Sequence, residues 1–380
     1  MTLGPMRGRG LLEIPGIGLG HAGQLSRERL TGTTVIVPPA GATVGVDVRG
    51  GGPATHETDV IAPGTHSYGA DAIVLTGGSA LGLRSVSGAV TALAEAGRGF
   101  PAAGLPDTVI PIVPAAGIFD LGRGDAGVLP PTVEEGAEAA RDALAVQSSA
   151  EELGSPAGSA PTHSTSQGPL PAVRGSIGAG TGARSGFQSL RSSMGSFAIR
   201  LPGGLTVAAL VIANSLGTLG TSAGSLWART LLHSYGLDLP ELDHLPAPPE
   251  TAAADATPTA TSAKNTTIAV VATNAALDTA QVTRMASGAH AGIARAVHPS
   301  HTLYDGDTVF GLATGTRALP TGFSEATREL VTITAAAADA LSLAILDAHV
   351  SAAPTEGTWG QPPTLSDIAP GFVEAFTALP

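Results

Sequence analysis

The chain contains no cysteine. Disulfides, thiolate nucleophiles and cysteine-ligated metals are therefore excluded. Lysine is almost missing too. Lys264 is the single one, and the other cationic side chains, histidines aside, are arginines. A mechanism that needs a catalytic lysine elsewhere is ruled out. Aromatic residues make up only 3% of the 380 residues. The core must then be built from Val, Ile, Leu and Ala, with backbones packed closely. The net charge of −12 argues against a broad basic face for nucleic acid or an anionic membrane. No run of 18 uninterrupted apolar residues occurs, so no membrane span is expected. The opening MTLGPMRGRGLLEIPGIG lacks the long apolar core of a signal peptide. A soluble, cytoplasmic protein is the default expectation.

What is present is a core-forming composition: 43% hydrophobic, 13% charged, with 51 glycines. That is globular rather than disordered. The length suits one large or two ordinary domains. Short β-branched runs predict strands over 33–37, 43–48, 72–76, 205–213, 267–273 and 308–314. Helices are expected over 80–96, over 279–297 behind Asp278 as N-cap, and over 324–350 starting at Ser324. Asp339 interrupts the last of these, which suits a buried helix with a polar edge. Two Ser-, Pro- and Ala-rich stretches, 148–171 and 245–265, read as flexible loops. No internal repeat is found.

Several motifs have plain structural readings. GLGHAG (Gly18, Gly20, Gly23) fits GxGxxG, and GAGTGA (Gly178 to Ala183) is similar. A dinucleotide loop needs a strand before it and a helix after it. Pro15 precedes the first and a strand-like run follows it, so tight turns are the better reading. The second leads into RSGFQSLRSSMG, a poor helix start. His290, His298 and His301 are close in sequence but straddle a helix and a Pro-containing loop, and HExxH is absent. Loop-stabilising roles are expected rather than a metal site. GGSALG (Gly77 to Gly82) lacks the spacing of a serine elbow and reads as a strand-to-helix turn. YDGDTVF sets Asp305 and Asp307 one residue apart on a turn entering a strand. An Asp-Gly-Asp turn is usually only a turn. Two carboxylates placed that way can also orient an amine and a hydroxyl.

The joint SAKNTTIAVVATN runs from a loop directly into a β-branched strand at Asn265-Thr266. An ordinary loop–strand junction accounts for it. So does a cut site. A hydroxyl at a strand start can attack the preceding carbonyl, and hydrolysis of the resulting ester frees an N-terminal Thr266. That residue then carries its own nucleophile and its own base. No lysine is needed.

Seven stretches, in order, resemble the P1 family of peptidases. These are the self-cleaving relatives of L-aminopeptidase/D-esterase, the β-aminopeptidases and the nylon-oligomer hydrolases. They are GHAGQLSRERLTGTTVIVPPAGATVGVDVRGGGPATHETD, AIVLTGGSALGL, PIVPAAGIFDLG, GSIGAGTGA, LTVAALVIANSLG, NTTIAVVATN and HTLYDGDTVFGLATG. The resemblance implies an αββα four-layer sandwich similar to the N-terminal-nucleophile (Ntn) hydrolases, with different connectivity. It implies autocleavage after Asn265 into segments 1–265 and 266–380 of one globular domain. Thr266 matches the nucleophile, Asn214 the oxyanion donor, and Asp305 and Asp307 the acidic pair that holds the Thr amine and hydroxyl. Asn-Thr at the joint looks most like the nylon-hydrolase branch. Two positions depart. Phe187 stands where many relatives place a lysine, and Phe119 where the nylon branch has tyrosine. Arg184 or Arg191 is a candidate substitute for the lysine charge, though a guanidinium is not equivalent. The implied activity is hydrolysis of short peptides, amino-acid amides or linear 6-aminohexanoate oligomers, without cofactor or metal, by a homo-oligomer, a tetramer on the family pattern. The rival readings are an acyltransferase of the ornithine acetyltransferase type and a catalytically weak, amine-binding homologue.

Overall fold

In the computed structural model the described residues are 3–66, 69–152, 171–246, 265–354 and 360–380. The fold is organised by two strands, Thr206–Asn214 and Thr266–Ala275. Both read as near-continuous apolar runs, which is the pattern of strands covered on both faces. Side chains alternate along a strand, so each face collects every second residue. Val207, Ala209, Val211 and Ala213 enter one hydrophobic cluster, together with Ala269 and Val271. Ala208, Leu210 and Ile212 enter another, with Ile268, Val270 and Ala272. The same two strands therefore wall two separate cores.

Four layers follow. The six-stranded sheet runs in the order Gly4–Met6, Met194–Arg200, Thr206–Asn214, Thr266–Ala275, Thr308–Arg317, Thr43–Val48. Its pairings are antiparallel except that of 266–275 with 308–317, which is parallel. A five-stranded sheet is built from Gly18–Leu25, Leu30–Val37, Ile73–Thr76, Ala115–Gly117 and Thr55–His56. Leu19, Ile36, Ile73 and Leu75 of this sheet meet Leu210, Ile212, Val270 and Phe310 of the larger one. Helices Thr279–Ala296 and Phe323–Val350 cover the outside of the six-stranded sheet. Helices Ser85–Glu95 and Val133–Glu152 cover the outside of the other. This is the expected αββα sandwich.

Local chemistry explains several boundaries. Asp278 caps the 279–296 helix as expected: Oδ1 accepts from Gln281 N at 2.8 Å, and Gln281 Oε1 accepts from Asp278 N at 3.0 Å. The 28-residue helix Phe323–Val350 is long and apolar enough to cross a membrane by length and composition, but most of its apolar window is buried inside the fold. Asp339 does form a polar edge on it, accepting from Arg295 at 2.7 Å and the Tyr235 hydroxyl at 2.9 Å. Further along, buried Asp347 accepts from Arg7 and Arg174 at 2.7 and 2.8 Å and from Ser196 N at 2.9 Å. That set ties the helix to the sheet beneath it. The GGSALG turn also stands: the 73–76 strand ends, Gly78 takes φ 75°, and a helical turn starts at Ser79.

Other expectations are corrected. GLGHAG is a strand, Gly18–Leu25, and not a set of turns. A Cβ on Gly20 would collide with the Ala139 carbonyl of helix 133–152. Its glycine is required by close strand–helix approach. GAGTGA opens as one 3-10 turn, Gly178–Gly180. The 80–96 helix is two pieces, Ser79–Gly82 and Ser85–Glu95. Helix 323–350 begins one residue early, at Phe323 with Gly322 as its N-cap, and Ser324 lies inside it. Helix Val133–Glu152 and strand Met194–Arg200 were not foreseen, and the expected loop from 148 begins as the last turn of that helix. The rest of that loop, 153–170, and most of the second, 247–264, lie outside the described residues. Gly20→Val is expected to wedge the helix away and lower stability by about 1–3 kcal/mol, the usual cost of overpacking. A denaturant melt would show this as a lower midpoint, and an unchanged midpoint would contradict close packing at this strand.

Candidate active site

Register places the first two candidates opposite each other. Asn214 pairs with Thr266 across the antiparallel strands. By parity both side chains lie on the face between the sheets. Directly paired residues stand roughly 5 Å apart at Cβ. Thr266 is 5% exposed and Asn265 1%. The parallel 308–317 strand starts at the same end, so its lead-in, Asp305-Gly306-Asp307, runs beside Asn265 and the two form a bridge.

Around the Asn265–Thr266 peptide the geometry is tight. Thr266 Oγ1 donates to the Asn265 carbonyl oxygen at 2.6 Å. The Gly306 N–H donates to that same oxygen at 3.2 Å. A Cβ on Gly306 would stand 2.9 Å from Thr266 Oγ1. Glycine there lets the donor come close to the hydroxyl without blocking it.

The two carboxylates flank this peptide. Asp305 Oδ2 accepts from Thr302 N at 2.8 Å and Thr302 Oγ1 at 2.7 Å. Burial, and then the charge of Asp307, push the Asp305 carboxyl up to about 6. Asp307 Oδ1 accepts from Thr267 N at 2.8 Å. Its Oδ2 accepts from His301 N at 3.0 Å and from His301 Nδ1 at 2.7 Å. Asp307 thus grips the strand one residue after Thr266. The His301 ring packs edge-on against His290, with centroids 4.9 Å apart. His290 Nε2 meets the Asp47 carbonyl at 3.0 Å, and burial pulls its pKa down to about 4. His298, the third histidine of that stretch, packs elsewhere, on Trp227.

On the other side of Thr266 stands an arginine that sequence reasoning missed. Arg123 Nη1 donates to Asn214 Oδ1 at 2.7 Å. Its other nitrogen, Nη2, donates to Gln188 Oε1 at 3.0 Å. Gln188 Nε2 in turn donates to Asn265 Oδ1. Arg184, a named candidate, also reaches Asn214, but through its backbone N–H at 3.2 Å. Its guanidinium goes to Gln361 at 2.6 Å. Arg191, the other one considered, points to the same Gln361 oxygen at 3.4 Å. Phe119 presents its carbonyl to Asn214 Nδ2 at 3.4 Å. Phe187 is half-buried beside Gln188, with its N–H on the Leu216 carbonyl at 2.8 Å. Burial, and then Arg184, lower the Arg123 guanidinium to about 9. It stays charged at neutral pH, so the direction reports mainly a cation taken out of water beside Asn214, with Arg184 adding to it.

The structure therefore brings Asn265, Thr266, Asn214, Asp305 and Asp307 to one end of the inter-sheet layer, rimmed by Phe119, Arg184 and Phe187. Arg123, Gln188, Gly306 and His301 join them. His301 opens the HTLYDGD stretch, so its neighbourhood was visible. Arg123 and Gln188 had no sequence signal, because only the folded inter-sheet layer brings 123, 188 and 214 together. Among the described residues no group of three or more His, Asp or Glu could hold a metal ion.

Known proteins resemble this chain over most of its length. The family described as Peptidase family S58 matches residues 10–362. An uncharacterized aminopeptidase of Mycobacterium leprae is 37% identical over 95% of this chain and 94% of its own length. A 6-aminohexanoate-oligomer endohydrolase of an Agromyces species is 30% identical, covering 84% of this chain and 80% of its own. Among solved structures, a Burkholderia β-aminopeptidase superposes with a TM-score of 0.65 at 22% identity, over 100% of this chain and 96% of that one. An L-aminopeptidase D-Ala-esterase/amidase of Ochrobactrum anthropi, described as a new variant among the Ntn hydrolase fold, gives 0.60 at 20%, over 94% and 90%. These likenesses carry the fold. Taken with the sequence match, they establish that the chain belongs to peptidase family S58 and is a hydrolase of amide or peptide bonds.

Proposed function

We propose that the chain cuts itself between Asn265 and Thr266 and that the freed Thr266 is the nucleophile of an amidohydrolase. The observation that carries this reading is the hydroxyl of Thr266 lying 2.6 Å from the carbonyl oxygen of its own preceding residue, while the Gly306 N–H already bonds that oxygen. In the first step Oγ1 attacks the Asn265 carbonyl carbon. The oxygen becomes an oxyanion held by Gly306 N–H. The C–N bond breaks, the Oγ1 proton passes to the Thr266 nitrogen, and an ester remains. Water then hydrolyses the ester, leaving an Asn265 carboxylate and a Thr266 amine.

In the mature enzyme the amine takes the Oγ1 proton as Oγ1 attacks a substrate amide. Its reference pKa of about 8 suits that task. Asn214 Nδ2, across the strand pair, donates to the new oxyanion. The leaving amine takes the proton, and water releases the acyl group from Thr266. Asp305 and Asp307 hold the Thr266 ammonium between steps. Substrates are short peptides, amino-acid amides or linear 6-aminohexanoate oligomers, by analogy with the named relatives.

The cut gives fragments of 265 and 115 residues. Denaturing electrophoresis and intact mass are expected to show both, with Thr266→Ser still cut and Thr266→Ala whole and inactive. Thr266→Ala protein that is still cut at this joint would sink the reading. Asn214→Ala is expected to lower kcat about 10²–10³-fold with little change in KM, as for loss of one oxyanion donor. The pH profile is a third check. Asp305 must be charged to hold the ammonium, and its carboxyl is held up to about 6 in the intact chain. It is charged above that value and neutral below, so turnover should fall as pH is lowered through about 6. Asp305→Asn should remove this limb and lower kcat roughly 10²-fold or more. A wild-type profile that is flat from pH 7 to 5 would contradict the role given to Asp305.

A further inference from the structure

The hydrogen bonds beside Asn265 have a fixed polarity. An amide side chain can be turned either way, and only its partners decide which end is oxygen. An arginine has donors and no acceptor. Because Arg123 Nη2 meets Gln188, the end of Gln188 facing it must be Oε1, at 3.0 Å. Nε2 must then face away, toward Asn265, whose contacting atom must be the acceptor Oδ1. This leaves Asn265 Nδ2 as a buried donor with no partner among the described residues, on a residue 1% exposed. Among the described residues the site thus offers a donor to the side chain before the scissile bond and no acceptor in return.

The turn that carries Gln188 is strained. Gly186, Phe187 and Gln188 take φ values of 58°, 56° and 71° in succession. Two of them bear side chains that rarely adopt the left-handed region. Such strain persists only where surrounding structure enforces it, and it concentrates at functional positions. Here the enforcement is visible. Gly186 N–H donates to the Gly217 carbonyl at 2.9 Å and Phe187 N–H to the Leu216 carbonyl at 2.8 Å. The turn is pinned to the segment that leaves Asn214.

We propose that Gln188, set by Arg123, reads the acyl side of the substrate, so that the mature enzyme prefers amides whose acyl residue carries a hydrogen-bond acceptor where Asn265 Oδ1 now lies, asparaginyl and aspartyl above aliphatic residues. This rests on the Thr266 reading above. The ester formed when Thr266 Oγ1 takes the Asn265 acyl group has the same linkage and the same side chain as the acyl-enzyme of an asparaginyl substrate, differing only in the group on the asparagine nitrogen. The side chain of the processed end therefore marks where a substrate's acyl side chain goes. The crowded guanidinium groups of Arg123, Arg184 and Arg191 favour the carboxylate form over a cationic side chain such as lysyl.

The test is a panel of asparaginyl, aspartyl, leucyl and lysyl p-nitroanilides on the processed protein. The kcat/KM for asparaginyl and aspartyl is expected about tenfold above leucyl, the worth of one good hydrogen bond, with lysyl lowest. In Gln188→Glu the carboxylate still accepts from Arg123 but has no donor to offer, so the asparaginyl-to-leucyl ratio should fall to one or below. A second measurement leaves Gln188 intact: precursor carrying Asn265→Leu should cut itself about tenfold more slowly than Asn265→Asp. A leucyl substrate turned over as fast as asparaginyl, or a ratio unmoved in Gln188→Glu, overturns the proposal. A chain that cuts itself but hydrolyses nothing in the panel overturns it as well. A chain that neither cuts nor hydrolyses takes the Thr266 reading down with it.

Discussion

The register of two buried strands is the constraint on which the site depends. Asn214 faces Thr266 because 206–214 and 266–275 pair in one alignment and no other. A slip of one residue would send Thr266 to the helix-covered face, away from Asn214. What prevents the slip is burial. The even-numbered residues of both strands fill the space between the sheets, and the odd-numbered ones fill the space under the helices. Both sets are apolar, so hydrophobicity alone does not distinguish the faces. Shape does. Leu210, Ile212, Ile268 and Val270 are set against Ile36, Ile73 and Leu75, while the small Ala209, Ala213 and Ala269 lie under the helices. Packing volume and not polarity therefore sets the position of Thr266.

Arg123 is the second organising element, and its chemistry is the reverse of a lysine's. A lysine beside a nucleophile is a mobile point charge that can also lose a proton. A guanidinium is a rigid fork of donors that keeps its charge. One arm fixes Asn214 with Nδ2 turned toward the Phe119 carbonyl, and the other fixes Gln188 as a donor toward Asn265. A single buried cation thus decides the direction of two amides. Phe187, where the resemblance led to the expectation of a lysine, does not leave the site without charge. The charge comes from across the inter-sheet layer, on the segment that follows strand 115–117.

The layers were legible in the sequence where periodicity was strong. Strand 43–48 and helix 279–296 lie within one residue of their expected limits, because one has clear β-branching and the other an Asp278 cap. The misses share a cause. Gly18–Leu25 is a strand whose glycines look like turns, since close approach of a helix and a tight turn demand the same residue. Val133–Glu152 was hidden by an Ala- and Glu-rich face that continues without a break into a Ser-rich stretch. In the site, residues on motifs were visible and residues defined by distance were not. Asn214, Thr266, Asp305 and Asp307 stand in stretches with their own signature. Arg123 and Gln188 have meaning only once two sheets are stacked, and no spacing along the chain encodes that.

The same dispersal bears on when the proposed cut can occur. The groups around the Asn265–Thr266 peptide come from residues 123, 188, 214 and 306, on segments that meet nowhere but in the finished sandwich. An unfolded chain offers Thr266 neither the Gly306 N–H nor a fixed orientation toward the preceding carbonyl. Orientation of this kind accounts for a large share of the rate of intramolecular reactions. Two strands on either side of the joint, 206–214 before it and 308–317 after it, flank strand 266–275 in one sheet. Each fragment therefore remains bound to the other by backbone hydrogen bonds and two cores after the peptide is broken. On this reading cleavage follows assembly and does not undo it, and the new terminus is created inside a site that is already built.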